Sequence, residues 1–599
     1  MLLILEMGIP KFYGEWIRNK TTAVKDRYPG EKGISSISID LNGIIHQAAQ
    51  QVYGYGNFNN LAIQQMNASQ DPATLYPNVY HKVTSEVVQL IKRYHPEMLV
   101  MAVDGVAPLA KINQQRQRRY LGYLERLVSG FSFDSSIISP GTSFMKGLDE
   151  HIRRFIISER KSLPRTVIYS SHLVPGEGEH KIMELMRDGK TYVGEGIHML
   201  HGNDADLNML ALLSPISNIW IIREDNRGTN YIDIETLKLN VKEKLQSETA
   251  IEDFVVLAFF LGNDFLPHLI TLHDVTDTLE VVTLNYKSIG KPLTVDGRLN
   301  FPVWKEMLKA LSYSEPGSVS KLATQIIKHP HPAVASATEI KDGKSKTSYD
   351  SFANNWYYYN LAPKGDLPFV NKDAAIDQIL LDSAEIIADM AKAYIQTVEY
   401  VYLYYAKGVA AINLDWYYPY SFAPLLKDIA AVEDLGDNDQ LREMDPVHQF
   451  YHPIHQMLMI MSPSFASSLP YGLGYLMSSG SPIVDMYPIM VMTSRDGYDT
   501  DWQQDIYLPT LDPQRILDIV LIERIPSIES DFPRTEVMVN VDETIPKPTL
   551  PVNRNPSFRP SYGGNRATPR NNGSGSNAGR STTTIPAVGS QIIRPMKRQ

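Results

Sequence analysis

The chain has 599 residues, of which 43% are hydrophobic and 10% aromatic, ample for several domains or one large multi-lobed body. It has no cysteine, which excludes disulfides, zinc ribbons and thiol catalysis and accords with a reducing compartment. No apolar run approaches the ~18 residues of a membrane span, FVVLAFFLG at 254–262 being among the longest, so a soluble protein with no membrane partner is expected.

The opening MLLILE is apolar but short, lacks a basic leader and runs into Gly-Ile-Pro, so it does not read as a signal peptide. Short apolar strands then alternate with helical stretches, a pattern that predicts an α/β fold with a mainly parallel sheet. ISSISID ends in Asp40 and MLVMAVD in Asp104. The segment after Asp104, DGVAPLAKINQQRQRRYLGYLERL, is predicted helical. With about 100° per residue, Lys111, Gln115, Arg118 and Arg119 fall within about a 100° arc. That arc is either a solvated basic face or a set of partners for a phosphate.

TVIYS at 166–170 leads into VPGEGEHKI, where Pro175-Gly176 marks a turn. The run from Glu179 reads as a helix with Ile182, Met183 and Met186 on one face. One acid at such a helix start would complement the dipole. Glu177 and Glu179 about Gly178 ask for more, and the glycine is expected to turn the backbone so that both acids face the same ions. GIHMLHGND ends in Asp204, and Asp206 opens the helix LNMLALL; Asp264 closes EDFVVLAFFLGND. Loops at the carboxyl ends of parallel strands are where open α/β sheets bind ligands.

Seven carboxylates in one cleft would repel strongly, by roughly 4 kcal/mol for a pair about 4 Å apart at an effective dielectric near 20. Oxygen-only ligands suit Mg²⁺ or Mn²⁺, and two such ions about 3.5–4 Å apart clamp a phosphodiester under hydrolysis. Separate helix caps and salt bridges are the alternative.

Further on, residues 314–348 have the composition of a linker. Trp416, Tyr417, Tyr418 and Tyr420 form an aromatic cluster that suits base stacking or core packing equally. Residues 546–599 carry nine lysines and arginines and no acid, a net +9 against −10 for the whole chain, which leaves −19 on the body. Rich in Pro, Gly, Ser and Asn, this tail is expected to be disordered, and serves either as a solubilising tail or as a weak, salt-sensitive RNA contact.

MGIPKFYGEWI (7–17), IDLNGIIH (39–46), AVDGVAPLAKINQQRQRR (102–119), PGEGEHKI (175–182), GNDADLNML (202–210) and FLGNDFLPHL (260–269) together resemble, in order, the Xrn family of 5′→3′ exoribonucleases. VYLYYAKG (401–408), DWYYPYSFAP (415–424) and YLPTLDPQRI (507–516) look like later family segments. The resemblance implies a PIN-like, flap-nuclease-related core. It assigns catalysis and the binding of two Mg²⁺ ions (or Mn²⁺) to Asp40, Asp104, Glu177, Glu179, Asp204, Asp206 and Asp264. Lys111, Gln115, Arg118 and Arg119 match the family's 5′-phosphate pocket, and His46 matches a residue that stacks on a base. Leu109 departs from the family's arginine, PIHQMLMIM (453–461) is a loose copy of a family motif, and six residues precede Met7.

The expected domains are a nuclease domain at 1–312, a linker-like segment at 313–350, a mixed, largely helical second region at 351–535 and the tail at 536–599. The expected activity is hydrolysis of 5′-monophosphorylated single-stranded RNA to nucleoside 5′-monophosphates by a cytoplasmic monomer, with a nuclear or viral setting left open. A flap-type DNA endonuclease and a non-enzymatic RNA-binding scaffold are the rivals.

Overall fold

The computed structural model describes residues 9, 11–30, 32–129, 133–225, 228–272, 274–324, 330–341, 344–361, 383–435, 450–494, 505–522 and 537–540. Eight strands of the described residues form one sheet: β1 (Val24–Lys25), β2 (Ile34–Asp40), β3 (Met98–Ala102), β4 (Thr166–Ser170), β5 (Ile197–His201), β6 (Ile219–Asp225), β7 (Gly228–Asp233) and β8 (Val537–Asn540). Their order is β1-β7-β6-β5-β2-β3-β4-β8. The five central strands are parallel, while β7, β1 and β8 join antiparallel at the edges. This is the mainly parallel α/β sheet that the strand pattern predicts.

Alternating side chains divide the core between the two faces, as a pleated strand requires. Val100, Ala102, Ile168 and Leu200 join one apolar cluster, whereas Leu99, Met101, Val167 and Met199 join another. The second is covered by α1 (Leu41–Tyr53), α2 (Tyr76–Tyr94) and α4 (Ser143–Ser158). The first is covered by α5 (Gly178–Arg187), α6 (Asp206–Leu213), α7 (Ala250–Ala258) and α10 (Ala384–Lys407). Burial on both faces explains why MLVMA and TVIYS read as nearly continuous apolar runs. A long helix between them in sequence, α3 (Leu109–Ser129), buries Leu109 and Ile112 in a third cluster with α11 (Pro453–Ile460). Leu109, at the position of the family's arginine, is thus a core residue.

Two sequence expectations meet a different structure. The linker-like stretch opens inside α8 (Phe301–Leu322), which runs through Pro316 and buries Leu311, Glu315, Val319 and Leu322 along one side. A hairpin (Thr338–Lys341 with Lys344–Thr347) and α9 (Tyr349–Leu361) follow. Ser, Gly and Pro there sit on a helix whose apolar stripe is sparse, so composition outweighed periodicity in the reading. The expected tail begins too early, since β8 pairs Val537 with Tyr169 and Asn540 with Thr166. The remainder of that tail, 541–599, lies outside the described residues, as do residues 1–8. Among the described residues no helix is long and apolar enough to cross a membrane.

Candidate active site

Parallel register brings the carboxyl ends of the central strands level. Asp40 pairs with Ala102, Ala102 with Ser170, and Ile39 with His201. The loops that leave these ends carry Asp104, Glu177, Glu179, Asp204 and Asp206 to the same edge as Asp40. Asp40 caps α1, its Oδ1 accepting from the Asn42 amide at 3.1 Å. The Asn42 side chain in turn accepts from the Asp104 amide at 3.2 Å, so one asparagine orients two of the acids.

The loops after β3 and β4 pair back to back: the Gly105 amide donates to Gly176 O at 2.9 Å and the Gly176 amide to Val106 O at 2.7 Å. Gly176 takes the turn, with φ +104°, a conformation other residues rarely adopt. Gly178 has a different task from the one expected of it. It already lies at the helical start of α5, and its amide donates to Asp104 Oδ1 at 2.7 Å. A Cβ there would stand 2.5 Å from Asp40 Oδ1. The glycine between the two glutamates therefore admits a neighbouring carboxylate rather than bending the chain. Lys181, buried on the same helix, fastens α5 to both strand ends by donating to Val103 O at 2.7 Å and Ser171 O at 2.9 Å.

Lys111 reaches from α3 into this cluster. Its Nζ lies 2.6 Å from Glu177 Oε2 and 2.7 Å from Asp264 Oδ2, all three side chains being almost wholly buried. Burial alone would lower the lysine pKa, but Asp264, Glu177 and Glu179 outweigh it and hold the ammonium well above its ordinary range. The acids are pushed the other way. Burial first, then Asp104 and Asp204, raises Asp40 well above the carboxylate range, and burial with Asp204 and Asp206 does the same to Glu179. Asp204 is raised to about 6 by burial, against the lowering pull of Lys111. Asp206 is raised to about 8 by burial and Asp264. Glu177 is raised too, because burial outweighs its lysine partner.

The structure therefore brings all seven acids into one electrostatic unit. Among the described residues no three acidic or imidazole side chains already stand as a closed metal cage. Lys111 ion-pairs with two of the acids, Glu177 and Asp264.

The basic face is only partly assembled. Arg118 is near enough for its charge to act on Asp204, Lys111 and His46. His46 is kept neutral, its pKa lowered to about 3 by burial and then by Arg119 and Arg118. Gln115 Oε1 accepts from Gln456 Nε2 at 3.0 Å. Arg119 is committed to the protein, donating to Ile138 O and Ser139 Oγ at 2.9 Å and to Ser135 O at 3.4 Å. Its guanidinium braces the turn at 135–139 instead of standing beside Lys111.

Sequence reasoning missed the contribution of α10. Tyr404 Oη donates to Glu177 Oε1 at 2.8 Å, and its ring stacks on His180 at 3.7 Å and 7°. Tyr405 lies against Asp206, and burial together with Asp206 and Glu179 raises its phenol well above the usual range. The only signal was the pair of tyrosines inside VYLYYAKG. In the aromatic cluster, Tyr418 is core, donating to Phe422 O at 2.9 Å, and Trp416 Nε1 donates to Thr397 Oγ1 at 3.1 Å.

Residues 7–225 match the family model for the XRN 5′-3′ exonuclease N-terminus, and residues 244–320 and 377–540 match that for the Xrn1 helical domain. Human 5′-3′ exoribonuclease 1 is 29% identical over 602 residues, a stretch covering 86% of this chain and 34% of the human protein. The Saccharomyces cerevisiae exoribonuclease 1 is 22% identical, with 86% and 43% covered, and Candida albicans exoribonuclease 2 is 23% identical, with 86% and 72% covered. The chain thus spans about a third to a half of the exoribonuclease 1 relatives' length. A distant likeness to the phage T5 D15 protein has a TM-score of 0.26 at 9% identity, over 47% of this chain and 84% of the other.

Proposed function

Because the chain belongs to the family of XRN 5′-3′ exonucleases, we propose that it removes nucleotides one at a time from the 5′-monophosphate end of single-stranded RNA. The observation that carries this reading is the placement of α3, whose Lys111 ion-pairs with Glu177 and Asp264 inside the carboxylate cluster and whose Arg118 is near enough to lower the Asp204 pKa. A cationic helix face abutting an acidic centre suits a substrate whose terminus is anionic and whose scissile bond is one nucleotide further in. A terminal monophosphate carries close to two charges and an internal diester one, so cations there favour the end over the interior.

Asp40, Asp104, Glu177, Glu179, Asp204, Asp206 and Asp264 offer only oxygen, and the buried Asp206 Oδ1 has no hydrogen-bond partner among the described residues, so these side chains fit two hard divalent cations, Mg²⁺ or Mn²⁺. When bound, such ions supply an acidified water and stabilise charge on the leaving oxygen. The chain's own residues do the rest. Arg118 and Gln115 hold the terminal phosphate, His46 stacks on the first base, and Tyr404 and Lys111 fix the orientation of Glu177. Water attacks the first phosphodiester, a water-oxygen to phosphorus bond forms, and the bond from phosphorus to the 3′ oxygen breaks. The 3′ oxygen takes a proton. A nucleoside 5′-monophosphate leaves, and the remaining RNA carries a new 5′-phosphate that suits the same face.

The test is digestion of one RNA bearing a 5′-phosphate, a 5′-hydroxyl or a cap, with products sized at early times. Mononucleotides from the 5′-phosphate substrate alone are expected. Cleavage of an internally labelled, 5′-blocked DNA flap would instead make the protein a structure-specific endonuclease, and no cleavage of any substrate with Mg²⁺ or Mn²⁺ would leave an RNA-binding scaffold.

A further inference from the structure

Gln456 is fully buried on α11, far in sequence from the basic helix it touches. Its Oε1 accepts from the Ala107 backbone amide at 3.0 Å, and its Nε2 donates to Gln115 Oε1 at 3.0 Å. The two contacts settle each other's polarity. A backbone N–H only donates, so the Gln456 atom facing Ala107 must be the carbonyl oxygen. The atom facing Gln115 is then an NH₂ group, which only donates, so Gln115 must turn its own carbonyl oxygen inward. Gln115 is half-buried, and its Nε2 has no hydrogen-bond partner among the described residues. That NH₂ is left as a donor on the helix that carries Lys111 and Arg118.

The relay stands on rigid parts. α11 is closed at its start by a reciprocal cap between His452 and His455, and Tyr487 donates to Leu458 O at 2.8 Å. Ala107 follows Asp104 by three residues, so the relay is anchored on the loop that carries an acid of the reaction centre.

We propose that Gln456 is a positioning residue for the 5′-phosphate: by holding the Gln115 amide with its NH₂ outward, it makes Gln115 a donor to an anion rather than an acceptor that would repel it. This rests on the reading of Lys111, Gln115 and Arg118 as a 5′-phosphate pocket. It also gives the second region a part in choosing the substrate, through a motif that differs from the family pattern around this glutamine.

The test compares single-turnover rates on 5′-phosphate and 5′-hydroxyl RNA and reads their ratio, with melting temperature as the check on folding. Gln456→Glu is similar in size but only accepts, so Gln115 must rotate and present its oxygen to the phosphate. Gln456→Met removes the instruction without reversing it. The ratio should fall about two- to fivefold for Gln456→Met, in the range of an ordinary hydrogen bond, and about tenfold or more for Gln456→Glu, in the range of a lost hydrogen bond to a charged group.

The same two changes are then made in a Gln115→Met background, where no amide remains to be turned. There Gln456→Met should have no further effect, and Gln456→Glu should retain only the part due to its charge. Equal losses in both backgrounds would overturn the proposal while leaving the pocket intact. If Arg118→Ala and Gln115→Met also left the ratio unchanged, the pocket reading itself would fail, and this proposal with it.

Discussion

Gly178 sets how closely two loops of the acidic centre approach, and it does so by having no side chain. Gly178→Ala would press a methyl group to 2.5 Å from Asp40 Oδ1, a distance that real contacts do not tolerate, so the carboxylate must swing away. The helix itself accepts alanine readily. Normal folding is therefore expected together with a loss of about tenfold or more in rate and weaker Mg²⁺ binding by calorimetry. Unchanged values for both would show that Asp40 has room to spare. Tyr404→Phe probes the opposite arrangement, a group that supplies something. The ring and its stacking on His180 stay, but the buried Glu177 Oε1 loses its donor. Hydrogen bonds to charged groups contribute about 1.5–3 kcal/mol, and one felt in the transition state changes rate roughly tenfold to a hundredfold. A single-turnover rate within twofold of the parent would mean that Lys111 alone suffices to hold Glu177.

At the scale of elements, α8 shows how one buried acid can tie distant segments together. Glu315 accepts from Tyr349 Oη at 2.5 Å, from the Leu426 amide at 2.9 Å and from the Lys427 amide at 3.2 Å. Glu315→Ala leaves two backbone donors and a phenol unsatisfied in a buried site. A loss of about 2–4 kcal/mol is expected, read as a melting temperature lower by several degrees. A shift below one degree would mean that water replaces the carboxylate. This brace was not legible in the sequence, whereas the acidic centre largely was, and the reason is physical. An aspartate at the end of an apolar strand is a local pattern, and parallel pairing then aligns several such ends without further information. Glu315, Tyr404, Tyr405 and Gln456 act on partners 34 to 349 residues away. Nothing in their own neighbourhoods distinguishes them: Pro316 next to Glu315 even argues against the helix that positions it. The rotation of Arg119 away from Lys111 was similarly hidden, since a helical wheel shows the arc but not the turn at 135–139 that claims its outer edge.

For the whole molecule, the acidic centre sets up a conflict between folding and charge that pH and cations can resolve. Asp206 is raised to about 8 by burial and Asp264, and Asp40 and Glu179 are raised by burial and by each other's neighbours. An acid whose folded pKa exceeds its unfolded value contributes stability that is complete below the unfolded value and lost as pH rises through the folded one. The chelated protein should therefore lose stability with rising pH. Histidines oppose this in the acid range, because burial lowers His46 to about 3 and His172 and His455 to about 4, and stability linked to them increases as pH rises toward 6.5. Above pH 7 they are neutral in both states and drop out. The window from pH 7 to 9 thus isolates the acids, and Asp206, raised to about 8, titrates within it. In EDTA the melting temperature should fall across that window. In Mg²⁺ it should hold nearly level, since a bound cation favours the ionised carboxylates that burial disfavours. Asp206→Asn should make the EDTA curve shallower as well, because an amide has no proton to lose. A chelated melting temperature that stays constant from pH 7 to 9 would mean that the carboxylates ionise without cost, and that Lys111 and Arg118 already balance them.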